Sequence, residues 1–178
     1  AKHDSLIDDI RKNNNKLDTT VSVGEKMQLI RDNSRTSLSR LRTLRTSLID
    51  PKARLKTSFL PPLRNKFALI QDHLNVLADT SGSKNMKNLG EIKEVQEGDP
   101  VANLPKPIRR FISLLTEGQN KLEQLDGYLS TLTSEELSPA KMLAIQIKMG
   151  HISHEIELFS SLLNKALEST KTIMNVQV

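Results

Sequence analysis

Stretches of helical period alternate with short breaks along this chain, and the longest unbroken pattern is the last. In "SPAKMLAIQIKMGHISHEIELFSSLLNKALESTKTIMNVQV" (138–178) apolar residues recur at Met142, Ile145, Met149, Ile152, Ile156, Phe159, Leu163, Ala166 and Ile173. Steps of three and four residues put them on one face of an α-helix. Ser138 is suited to cap its start, with Pro139 at the first helical position. Three earlier stretches share the period. Met27, Ile30, Leu38, Leu41, Leu44 and Leu48 predict a helix from about Glu25 to Ile49, ended by Asp50 and Pro51. Leu63, Phe67, Ile70, Leu74 and Leu77 form a heptad seam that predicts a helix from Leu63 to Ala78, after the break at Pro61 and Pro62. Ile108, Phe111, Leu115, Leu122, Leu125, Leu129 and Leu132 predict another, with Gly118 where a further apolar residue is due. A weaker pattern at Leu6, Ile10 and Leu17 predicts a helix over 4–20, opposed by the "NNN" at 13–15.

Residues 80–107 show no period, and Gly82, Gly90, Gly98, Pro105 and Pro107 interrupt them; the expectation is an extended, flexible segment. The expected fold class is all-α: helical hairpins forming an antiparallel helical bundle, with a long C-terminal helix and a flexible central segment. The expected organisation is a basic helical hairpin over 1–79, a linker over 80–107 and a C-terminal hairpin over 108–178. The short turn "TSEELSPAK" favours antiparallel neighbours for the last two helices.

A solitary helix of this length does not persist in water. Burying a large apolar side chain contributes roughly 1.5–3 kcal/mol, against a backbone cost of roughly 1–2 kcal/mol per ordered residue. The last helix therefore needs neighbours, from the first module or from another chain. Its seam residues Met142, Ile145, Met149, Ile152, Ile156, Phe159 and Leu163 are the expected partner-binding positions, joined by Leu158 and Leu162 on an adjoining face.

Composition narrows the picture. Aromatic residues make up 3 % of the chain, so its core must rest on Leu, Ile and Met. No run of 18 uncharged apolar residues exists, so no transmembrane segment is expected, and "AKHDSLIDDI" has no apolar core of a cleaved signal peptide. With zero cysteines, disulfides and thiolate sites are excluded together. Charge is uneven: residues 1–83 hold 15 basic against 9 acidic side chains, and residues 84–178 hold 11 against 12. The shift falls at "DTSGSKN" (79–85), leaving two readings open: an ordinary loop in one polypeptide, or two partner segments fused at about Gly82.

Candidate chemistry is sparse. On a helix Arg31, Arg35, Arg42 and Arg45 form one basic surface stripe beside the Leu seam, able to meet phosphates or an acidic protein face. No aromatic residues interleave with them for base stacking, which argues against nucleic acid and for a protein partner. His151 and His154 lie one turn apart near Glu155 and Glu157, yet matching ligands from other helices are not evident, so no metal or other cofactor is expected. Neither a nucleophile elbow nor a phosphate-binding glycine loop occurs, and no catalytic residues are assigned. The expectation is a non-enzymatic protein acting through helix packing with itself or with other assembly subunits.

The last helix also resembles the C-terminal helix of the type III secretion inner-rod family. The resemblance rests on the Ser138-Pro139 start, the Leu-x-x-Gln element from Leu143 to Gln146, the stretch from Ser153 to Glu157, and the close through Lys165, Ser169, Thr172 and Gln177. The segment "MKNLGEIKEVQEGDPVANLPKPIRRF" is similar to the flexible N-terminal part of such proteins, which carries an uncleaved export signal. The match is good over about 40 residues and loose over 86–178, whereas residues 1–83 resemble nothing in that family. It implies a structural subunit of a bacterial secretion apparatus, exported without a cleaved signal peptide. The alternative is an intracellular coiled-coil scaffold subunit of another complex, such as a tethering or transcription assembly.

Overall fold

The computed structural model describes the backbone of residues 22–82, 100–133 and 135–176, with side chains as far as Leu167. The expected helix over 4–20, most of the expected flexible segment (83–99) and the side chain of Ile173 lie outside the described residues. Among the described residues there are four α-helices: α1 (Val23–Ile49), α2 (Leu60–Ser81), α3 (Lys106–Thr131) and α4 (Pro139–Val176). Short 3-10 turns at Thr57–Phe59 and Pro100–Asn103 precede α2 and α3.

Local chemistry sets the ends. The Ser22 hydroxyl accepts the Glu25 N–H at 3.1 Å and caps α1. Asp50 closes that helix: its N–H donates to the Thr46 carbonyl, and its carboxylate accepts the Lys52 N–H at 2.9 Å. Pro61 and Pro62 open α2, where the first N–H groups have no helical acceptor in any case. Gly82 stops α2 with φ of 81°, donating its N–H to the Ala78 and Asp79 carbonyls. The composition break read at Gly82 is thus a helix stop. Ser138 caps α4 as expected, its hydroxyl accepting the Lys141 N–H at 3.2 Å.

Side-chain contacts fix the directions. Arg31 reaches the Leu129 and Leu132 carbonyls while Arg45 reaches Thr116, so α1 and α3 are antiparallel. Gln71 meets the Leu114 carbonyl and Tyr128 the Ser81 carbonyl, so α2 and α3 run parallel. Lys66–Glu155 and His73–Lys148 make α2 and α4 antiparallel. The order is up, down, down, up, so the end of α2 and the start of α3 lie at opposite ends of the bundle.

The main packing pairs are α1–α3, α1–α4, α2–α3 and α2–α4. Helices α1 and α2 therefore stand across one diagonal and α3 and α4 across the other, which corrects the expectation that the last two helices are neighbours. A short turn requires reversal of direction, and a diagonal pair satisfies that as well as an adjacent one. One continuous core joins all four helices. Each contributes a seam of alternating three- and four-residue steps, the geometry of side chains from one helix seated between those of the next. The extended seam of α1 is Met27, Ile30, Ser34, Ser37, Leu41, Leu44 and Leu48. Two of those slots hold serine. Midway along, Phe67 packs against Phe159 at 5.3 Å between ring centroids, and Phe111 against Phe159 at 6.1 Å. A Cβ on Gly118 would overlap the tip of the Phe67 ring. The glycine found where an apolar residue was due is the socket for that phenylalanine.

Candidate assembly surface

As far as Leu167, the inner face of α4 is occupied within the chain. Met142, Ile145, Met149, Ile152, Ile156, Phe159, Leu163 and Ala166 are all buried, and the helices covering them are α1 and α2. The need for more than one partner helix is met by the first two helices of the same chain. Helix α4 continues to Val176, ten residues beyond Ala166, the last of the described buried seam positions. Of the adjoining pair, Leu162 is half-buried against the core and Leu158 stands exposed.

The arginine stripe is mostly an internal fastening. Arg31 donates from Nη2 to the Leu132 carbonyl at 3.1 Å and from Nε to the Leu129 carbonyl at 3.4 Å. This places a cation on carbonyls that the end of α3 leaves without helical donors, where the helix dipole favours positive charge. Arg42 pairs with Glu123 at 3.1 Å, and Arg45 Nε donates to the Thr116 hydroxyl at 2.9 Å. Only Arg35 of the four is exposed without a hydrogen bond or ion pair among the described residues. The expected free basic surface of Arg31, Arg35, Arg42 and Arg45 is therefore corrected: three of the four face α3. On the opposite flank of α1, Arg40 pairs with Glu157 of α4 at 2.8 Å. Charge on each flank of the α1 seam thus addresses a different neighbour.

Between α2 and α4 the rim is polar in a different way. Lys66 and Glu155 form a half-buried ion pair at 2.7 Å. Lys148 Nζ lies 3.2 Å from His73 Nδ1, and the His73 and His151 rings stand 6.0 Å apart. Burial, then the Lys148 ammonium, hold the His73 imidazole below its ordinary value of 6.5. This neighbour of His151 was not identifiable from spacing, because the two residues lie on different helices. His154 points to solvent. Among the described residues no three His, Cys, Asp or Glu side chains converge as metal ligands.

The outer face of α4 carries exposed apolar side chains. Leu143, Ile147 and Leu158 are exposed along it, with Gly150 and His154 between them. Leu69 and Val76 of α2 are exposed as well. Among the described residues no helix is long and apolar enough to cross a membrane. Comparison of the chain with models of protein families, with characterised proteins and with solved structures finds no match.

Proposed function

We propose that this chain is a structural subunit of a larger assembly, acting through α4, and that the assembly is a bacterial type III secretion apparatus of which the chain is an inner-rod-like part. The observation that carries the reading is α4 itself. Among the described residues it is the longest helix, at 38 residues, and it packs on α1 and α2. The resemblance of 138–177 to the inner-rod C-terminal helix supplies the identity of the assembly.

In this reading α1 and α2 hold the seam of α4 until helices of other subunits replace them. The exchange conserves apolar burial, since one heptad seam accepts another. Helix α1 is the easier cover to remove. Its serines at 34 and 37 bury hydroxyls that find no hydrogen-bond partner, and its ion pairs Arg40–Glu157 and Arg42–Glu123 are exposed at the rim, where such pairs contribute little.

The closed four-helix core favours a second reading, a scaffold module of another complex that keeps this fold when assembled. Export separates the two. The chain is expressed in a bacterium with a type III system and in an otherwise identical strain lacking its export ATPase. Appearance outside the cell only in the first strain supports the secretion reading. Retention in both removes it and leaves the scaffold.

A further inference from the structure

The outer face of α4 is a stripe with an internal symmetry. Leu143, Ile147 and Leu158 are 54 %, 52 % and 41 % exposed, three of the seven large apolar side chains exposed among the described residues. They lie opposite the buried seam, on one line with Gly150 and His154. Their positions are palindromic. Reversing the helix about the bond between Gly150 and His151 exchanges Leu143 with Leu158 and Ile147 with His154.

Two copies of α4 laid antiparallel in this register would place Leu143 of each against Leu158 of the other, twice. Ile147 would meet His154, twice, and the Gly150 positions would flank the axis. A contact of this kind is self-complementary, as a two-fold interface requires. The centre has the shape that such a crossing needs. A Cβ at Gly150, as at Gly127 of α3, would meet nothing within 4 Å, so the fold of one chain leaves this position open. Glycine in mid-helix costs about 1 kcal/mol relative to alanine. A second helix crossing at Gly150 would use that opening for close approach.

Charge agrees. From Ala140 to Ser161 this line carries no Lys, Arg, Asp or Glu, in a chain that is 26 % charged. Glu157, at the stripe's edge, is paired to Arg40 and faces Ala144 in the reversed register. No like charges oppose each other across the pair.

We infer that the outer face of α4 is a homotypic docking surface, whose occupant is α4 of a second copy of this chain, antiparallel and centred on Gly150. The inference stands apart from the secretion reading, because it uses the face that the core does not. One helix face buries less than the roughly 1,200–2,000 Å² of a stable interface, so the dimer is weak and exchanging.

The test is a charge reversal read by sedimentation equilibrium over a concentration series of the full chain. Leu143→Glu and Leu158→Lys, each alone, are expected to weaken dimerisation by about tenfold or more. The double variant L143E/L158K is expected to recover it, because in the antiparallel register each new carboxylate faces a new ammonium. A parallel pairing would set like charges together and leave the double variant monomeric. Both residues are exposed, so thermal melts by circular dichroism should show all three variants folded. A wild-type chain that stays monomeric to about millimolar concentration, or a double variant no better than the singles, overturns the inference. A second readout uses the absence of native cysteines. A spin label at His151→Cys should report a short distance across the dimer axis, and a uniformly long or unmeasurable distance also overturns it.

Discussion

Helices α1 and α4 lie side by side in the same direction, and both present a seven-residue repeat to the core, yet they are held by different forces. Every described seam slot of α4 carries an apolar residue. The seam of α1 gives two central slots to Ser34 and Ser37, and its rim carries four arginines that reach α3 or α4. Apolar burial is nondirectional and grows with area, so α4 adheres strongly without selecting its neighbour. Polar rim contacts contribute less but fix direction and register. In this bundle α4 supplies much of the cohesion, and α1 supplies much of the specificity.

The comparison can be broken from the α4 side first. Phe159→Ala removes the ring that joins Phe67 and Phe111, and should cost about 3–5 kcal/mol in urea unfolding. Next comes Gly118→Val. Its branched side chain must displace the Phe67 ring, with an expected loss of about 1–3 kcal/mol. The arginines sharpen the α1 side. Arg31→Met should cost about 1–2 kcal/mol by freeing the carbonyls at the end of α3, whereas Arg35→Gln on the same stripe should change stability by less than about 0.5 kcal/mol. Equal effects for the two would remove the fastening role.

Smaller still is the serine pair. Ser34→Ala and Ser37→Ala delete buried hydroxyls without partners, and each should raise stability by about 1 kcal/mol. Hydrogen exchange should slow along α1 in these variants. A loss of stability would mean that the hydroxyls are satisfied in solution.

The smallest expected effect is a pH dependence at the α2–α4 rim. His73 takes up its proton less readily in the fold than in the unfolded chain, so the unfolded state binds more protons as pH falls. Its contribution is fully present above about pH 6.5 and is progressively lost as pH falls below that value toward the depressed folded one. His73→Gln should flatten the fall in melting temperature across this window. An identical slope in wild type and variant would assign the effect to other groups.

Much of the fold could be read from the repeat alone. Steps of three and four residues marked all four helices, Ser138 announced the start of α4, and Asp50-Pro51 the end of α1. The helix stop at Gly82 was visible only as a change of composition, because a left-handed cap and a linker use the same residue. The assembly surface was legible in part. Leu158 was marked as lying outside the main seam, but Leu143 and Ile147 gained meaning only once the opposite face of α4 was known to be filled. The stripe of Arg31, Arg42 and Arg45 was recognisable as a stripe, though not as a tie to α3.

The sequence by itself determined that this chain is helical, where its helices run and which face of each is apolar, because these depend on periodicity within one segment. The tertiary structure decided which helices are neighbours. Heptad seams are nearly interchangeable, so periodicity does not choose among pairings. That choice came from contacts between distant residues: Phe67 seated on Gly118, Arg31 on the end of α3, Arg40 on Glu157. Each is a match of shape or charge between segments, and no single segment contains it.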